Sequence, residues 1–152
     1  GGSGAITLQS PELFRKLTLP TLQAICDLAH QAGVLTMVHC CGKERALVDM
    51  VANQTKLNCV NPLERPPMGD CDLAEVKRTF GHRLSLMGNL HTTDVMLRGT
   101  PERVEQAAKD AIDAAGGGGG FILSTGDQCG RDTPDENIFK LVEVAQTYGR
   151  YD

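Results

Sequence analysis

Val34-Leu35-Thr36-Met37-Val38 runs straight into His39-Cys40-Cys41-Gly42, and this junction decides how the chain is read. The first five residues form a short apolar run of the kind a buried strand makes. Further on, Phe121-Ile122-Leu123 leads in the same way to Gly126-Asp127-Gln128-Cys129-Gly130. Each polar segment therefore sits where a strand stops and a loop begins. In barrels of parallel strands, that edge carries the chemistry. His39, Cys41 and Cys129 would together make a three-ligand nitrogen and sulfur site. Zinc with three protein ligands and an open position is a catalytic arrangement, whereas structural zinc is closed by four. Against this, a lone histidine at a strand end is more often a hydrogen-bonded core residue. The His-x-Cys spacing and the distant Cys129 bring the ligand reading level with the core one.

Working outward, helix and strand patterns alternate. Ser10-Pro11-Glu12 reads as a cap, a first-turn proline and a first-turn acid. The helical stretch that follows reaches Gly33 and is interrupted near Pro20, so two helices or one kinked helix are expected. Strands are expected at 34–38, 57–61, 83–87 and 121–123, with helices at 43–53, 72–80, 92–98, 101–115 and 135–148. Asp72-Leu73-Ala74-Glu75 and Thr133-Pro134-Asp135-Glu136 both have capping-box form. Gly116–Gly120 reads as a helix stop and loose turn.

Four strands, each followed by helix, imply a parallel sheet with right-handed crossovers. The expected fold class is α/β, half of a (β/α)8 barrel, which in full needs about 250 residues. A half barrel leaves two unpaired edges and an open inner face, and such edges attract partners. The chain is therefore expected to self-associate, to pair with a missing half, or to be a fragment. Residues 1–9 are expected to be a glycine-rich N-terminal segment or a linker remnant, with the half barrel over 10–152.

Composition bounds the function classes. The 152 residues are 41% hydrophobic and 22% charged, with a net charge of −4. No basic stripe or aromatic platform suits nucleic acid. No apolar run approaches the ~20 residues of a membrane helix, and no basic-then-apolar leader is evident. Membrane attachment and secretion are not expected. The six cysteines are scattered through apolar runs and loops, which suits a reducing compartment, the cytoplasm.

A resemblance emerges from the motifs in order. Ser10-Pro11-Glu12-Leu13-Phe14, Leu19-Pro20, His39-Cys40-Cys41-Gly42, Asn61-Pro62-Leu63-Glu64 and Gly69-Asp70-Cys71-Asp72-Leu73 are similar to the C-terminal half of the uroporphyrinogen decarboxylase superfamily. Met87-Gly88-Asn89-Leu90 and Thr133-Pro134-Asp135-Glu136-Asn137 continue the match across nearly the whole chain. The resemblance implies a (β/α)8 barrel with its site at the C-terminal strand ends. The superfamily holds a cofactor-free decarboxylase of haem biosynthesis and zinc-using, cobalamin-linked methyltransferases such as the coenzyme M enzymes. His39-x-Cys41 followed by Cys129-Gly130 resembles the methyltransferase branch. The decarboxylase usually shows a histidine near the second place. The spacer Gly126-Asp127-Gln128 departs from the commonest form of that turn.

The resemblance thus implies Zn2+ held by His39, Cys41 and Cys129, activating a small-molecule thiol toward a methyl group on a corrinoid, itself carried by a partner protein. Glu64 and His91 are the candidate catalytic residues. Glu64 reads as a fourth oxygen ligand or substrate contact, or as a solvated loop acid beside Arg65. His91 reads as a substrate contact at the same edge. Asp127 and Arg131 are the candidate cofactor-binding residues. Asp127 would orient a ligand, and Arg131 would hold a substrate carboxylate or phosphate, with a surface ion pair as the plain alternative. Cys40 should point away from Cys41. Cys26 and Cys59 read as small core hydrophobes, and Cys71 is explained by the neighbouring cap. His30 and His82 read as structural, and Gly42 and Gly130 as backbone requirements. The alternatives are a metal-free tetrapyrrole carboxy-lyase and a non-catalytic half barrel that self-associates.

Overall fold

A computed structural model describes residues 5–151; the Gly1-Gly2-Ser3-Gly4 stretch lies outside the described residues. Four parallel strands form one sheet in the order β1-β2-β3-β4: β1 (Met37–His39), β2 (Cys59–Asn61), β3 (Ser85–Leu90) and β4 (Phe121–Thr125). The sequence order equals the spatial order, so every crossover joins nearest neighbours. The register sets Met37 beside Cys59 and His39 beside Asn61. Cys59 lies beside Ser85, and Asn89 beside Ser124.

Local chemistry explains most boundaries. The Ser10 hydroxyl accepts the Leu13 N–H at 3.2 Å and opens α1 (Pro11–Leu13). α1 continues through a π-turn (Phe14–Thr18) into α2 (Leu19–Gln31). The helix is thus one run, and the wide turn comes just before Pro20, the residue that lacks an N–H. α3 is Arg45–Gln54. Asp72 caps α4 (Leu73–Phe80) by accepting the Glu75 N–H at 2.8 Å. Thr100 caps α5 (Pro101–Ala115) in the same manner. At α6 (Asp135–Thr147) the expected cap is not made. The helix begins after Pro134, and the buried Thr133 hydroxyl has no partner among the described residues. β1 also begins later than expected. Val34 and Leu35 precede it and are exposed, and the pairing with β2 begins only at Thr36, whose carbonyl accepts the Asn58 and Cys59 N–H groups.

The core lies on the helical side of the sheet. Val60, Leu86 and Leu90 from the strands pack with Leu47, Val48 and Val51 of α3, Val76 of α4, and Val104 and Ala108 of α5. Each such large side chain contributes roughly 1.5–3 kcal/mol through burial. The opposite face is only partly covered: Met37 is 54% exposed and Ile122 49%. In a closed barrel that face is the interior. Residues 5–9 are not a loose leader. A 3-10 turn (Ile6–Leu8) buries Ile6 in the core cluster, and the Thr7 hydroxyl donates to the Cys41 carbonyl at 2.5 Å.

Candidate metal centre

The site is built where β1 and β4 end. His39 closes β1, Cys41 lies two residues on, and Asp127 sits in the turn after β4. Their imidazole nitrogen, thiol sulfur and carboxylate oxygen all lie within 4.8 Å of one another. His39 Nε2 is 3.0 Å from Cys41 Sγ and 3.5 Å from Asp127 Oδ1. The turn itself aims Asp127. The Thr125 hydroxyl donates to the Asp127 carbonyl at 2.7 Å, and the Gln128 N–H donates to its carboxylate at 2.7 Å.

Asn61 sets the imidazole. Its Nδ2 donates to the Met87 carbonyl at 3.3 Å, which leaves Oδ1 facing His39 Nδ1 at 2.5 Å. An acceptor there requires the proton on Nδ1. Nε2 then carries a lone pair, pointed at Cys41 and Asp127. This is the arrangement a metal-binding histidine needs. Burial, and then the Asp127 carboxylate that accepts the thiol proton, push the Cys41 thiol up to about 11. A lone pair, a thiol and a carboxylate converging at this distance fit a cation such as zinc, which would take the thiol proton's place.

Two loops brace the group. Gly42 follows Cys41 at φ +84°, and a Cβ there would meet Thr7 Cγ2 at 2.6 Å. Gly42 is thus a true backbone requirement. Gly130 is not, since a Cβ there would make only ordinary contacts. The Gly42 N–H donates to the Glu64 carboxylate, and the Leu63 N–H donates to the Glu44 carboxylate. Glu64 is 7% exposed and Glu44 0%. Burial without a cation, with the negative Glu64 and Asp70 nearby, raises Glu44 to about 8 against backbone N–H groups that pull it down.

The other sequence-derived residues fall elsewhere. Cys129 is half-buried, packs against the core and stands outside the converging group, whose third member is Asp127. His91 caps the π-turn after β3 (Thr92–Leu97), its Nδ1 accepting the Thr93 and Asp94 N–H groups. It lines a small recess with Glu64, Asn89 and Gly126. Arg131 is fully in solvent, 3.9 Å from Asp132. Cys26, Cys40, Cys59 and Cys71 are buried, and all six cysteines are free thiols. Burial raises Cys40, Cys59 and Cys71 above the ordinary thiol range. Sequence reasoning missed Asn61 as the histidine's partner, and missed Thr7 and Glu44 altogether. Asn61 did stand in a quoted motif, but nothing in that motif marks a contact with His39.

Fold and site together define a parallel half barrel of the (β/α)8 type with a mixed nitrogen, sulfur and oxygen donor set at its C-terminal strand ends. The family model for uroporphyrinogen decarboxylase (URO-D) matches residues 5–148, and the chain belongs to that family. It is 30% identical over 139 residues to the methylcobamide:CoM methyltransferase MtbA of Methanosarcina mazei, a match covering 90% of this chain and 37% of that protein. It is 30% identical over 141 residues to the methylcobamide:CoM methyltransferase MtaA of Methanosarcina barkeri, covering 93% and 38%. A uroporphyrinogen decarboxylase of Coxiella burnetii matches at 34% over 77 residues, 51% of this chain and 21% of that protein. The solved structure of a methyltransferase from Methanosarcina mazei superposes with a TM-score of 0.79 at 23% identity, covering 97% of this chain and 40% of the other. This chain therefore spans well under half the length of the curated relatives it matches.

Proposed function

We propose that residues 10–152 form the zinc-binding half of a methyltransferase that moves a methyl group from a corrinoid, carried by a partner protein, to a small-molecule thiol. The observation that carries this is the donor set His39, Cys41 and Asp127 with its imidazole tautomer imposed by Asn61. The methyltransferase relatives support the branch, since they match nine-tenths of the chain while the decarboxylase matches about half. His39 and Cys41 would hold the ion, with a third ligand from the turn after β4, where Asp127 and Cys129 stand two residues apart. Bound zinc supplies stabilisation of a thiolate at neutral pH. The protein's own part is positional. Asn61 holds the Nδ1 proton away from the ligand face. Glu64 fixes the Gly42 backbone beside Cys41, and lies next to the recess where His91 and Asn89 would meet a substrate. The exposed edges at β1 and β4 are read as the seam where a second copy or a further half barrel completes the ring. Six free thiols suit the reducing cytoplasm.

The carboxy-lyase reading rests on the Coxiella burnetii match. It gives the donor set no task. Metal analysis of protein purified without added zinc separates the two. About one zinc per chain, lost in Cys41→Ala, supports the methyltransferase reading; a metal-free, well-folded protein overturns it. Asp127→Asn and Cys129→Ala, measured alongside, identify the third ligand.

A further inference from the structure

The loops after β1 and β2 exchange carboxyl groups, and one of the two, Glu44, has no part in the site as described above. Glu44 is in the loop after β1, three residues beyond Cys41, and accepts the N–H of Leu63 in the loop after β2. Glu64, in that second loop, accepts the N–H of Gly42 in the first. The two hydrogen bonds close a ring through Gly42, Lys43, Glu44, Leu63 and Glu64. Leu63 stands at φ +60°, a left-handed conformation that is costly for a branched residue. Asn89 of β3 holds it from behind, its Nδ2 donating to the Leu63 carbonyl at 2.9 Å. Asp70 adds a further stitch, accepting the Arg45 N–H at 3.0 Å. Glu44 is fully buried and its second oxygen has no partner among the described residues. Its sequence neighbour Arg45 turns away to Glu75, with two hydrogen bonds of 2.8 and 2.9 Å. A buried carboxyl with no cation costs stability. Burial therefore works against this group, and the gain lies in what its hydrogen bond holds.

We propose that Glu44 is a positioning residue for the metal group, its buried carboxyl locking the two loops so that Cys41 keeps its place beside His39 and Glu64 its hold on Gly42. Its side chain acts through the Leu63 N–H and touches no reacting atom. The role rests on the metal-binding reading given above. A shorter or missing side chain at 44 frees Leu63, and with it the Glu64 carboxylate that fixes Gly42. The neutral isostere glutamine keeps the acceptor and keeps the lock.

The test is cobalt(II) titration of the wild-type chain and of Glu44→Gln, Glu44→Asp and Glu44→Ala, followed by the cobalt d–d absorption bands. Amide hydrogen exchange at Gly42 is measured in parallel, and circular dichroism reports the fold. Glu44→Asp and Glu44→Ala are expected to weaken cobalt binding by about 10–100-fold, to shift the bands and to speed Gly42 exchange. Glu44→Gln is expected to match the wild type in all three. If Glu44→Ala does not fold, the aspartate and glutamine variants carry the comparison, since aspartate keeps the carboxyl and shortens the reach while glutamine keeps the reach without the charge. Wild-type affinity, bands and Gly42 exchange in Glu44→Asp overturn the proposal. A wild-type chain that binds no cobalt overturns the metal reading and with it this role. Unchanged exchange at Gly42 overturns the brace on its own, whatever the metal does.

Discussion

The Asn61 carboxamide oxygen faces His39 Nδ1 at 2.5 Å across neighbouring strands, and this contact decides which imidazole nitrogen is free. Because Asn61 Nδ2 is committed to the Met87 carbonyl, the amide cannot flip without losing a hydrogen bond. Asn61→Ala is expected to lower zinc affinity by about 10–100-fold while leaving the fold intact. Competition against a chromophoric chelator measures this. Unchanged affinity would show that the imidazole needs no partner to present Nε2.

Glu44 makes stability depend on pH. Its folded value, about 8, stands above the ordinary 4.5 of the unfolded chain. Between those values the folded protein holds a proton that the unfolded chain has released. Stability from this group is present in full below 4.5 and is lost as pH rises toward about 8, with a slope of at most about 1.4 kcal/mol per pH unit. Glu44→Gln should flatten that slope and leave the protein more stable than wild type on the alkaline side. Urea unfolding midpoints in acidic, neutral and mildly alkaline buffer provide the comparison, and parallel pH profiles for the two proteins would refute it.

Asn137 ties α6 to the segment before α5. Its side chain is fully buried and donates to the Met96 and Gly99 carbonyls, both at 2.8 Å. Asn137→Ala strands one buried and one partly buried carbonyl and should cost about 2–3 kcal/mol. Chemical denaturation reads the loss directly. A change too small to measure would mean that water reaches those carbonyls.

The open face of the sheet should show itself in solution. Met37 on β1 and Ile122 on β4 stay about half exposed, beside strands with an unpaired edge. The wild-type chain is expected to self-associate with rising concentration. Met37→Lys together with Ile122→Lys should shift sedimentation velocity toward the monomer without altering circular dichroism. The same distribution before and after substitution would place the association elsewhere.

Much of the architecture was legible because its causes are local. Ser10 and Asp72 cap the helices they were expected to cap, and Thr100 does the same for α5, since a side-chain oxygen needs only an N–H three residues away. Thr133 failed in the same role because the helix starts after Pro134 instead, which no short-range pattern reports. Val34 and Leu35 look like strand residues, yet they stay exposed ahead of the pairing with β2, which starts at Thr36.

The cluster was half legible. That His39 and Cys41 come together could be read from spacing, because both residues lie on one strand end. That Asp127 joins them could not, since Asp127 and Cys129 share one turn and its hydrogen bonds turn the Asp127 carboxylate toward Cys41. Glu44 sits in Lys43-Glu44-Arg45, which looks like an ordinary solvated run, and its burial depends on a loop from another strand. The sequence by itself determined the alternating parallel half barrel and the strand ends where chemistry belongs, because apolar period, caps and turns act over a few residues. The tertiary structure alone decided that Asn61 meets His39, that Asp127 meets Cys41, and that Glu44 and Glu64 exchange partners between loops. Those pairings depend on strand register, and a slip of one residue turns every side chain to the other face.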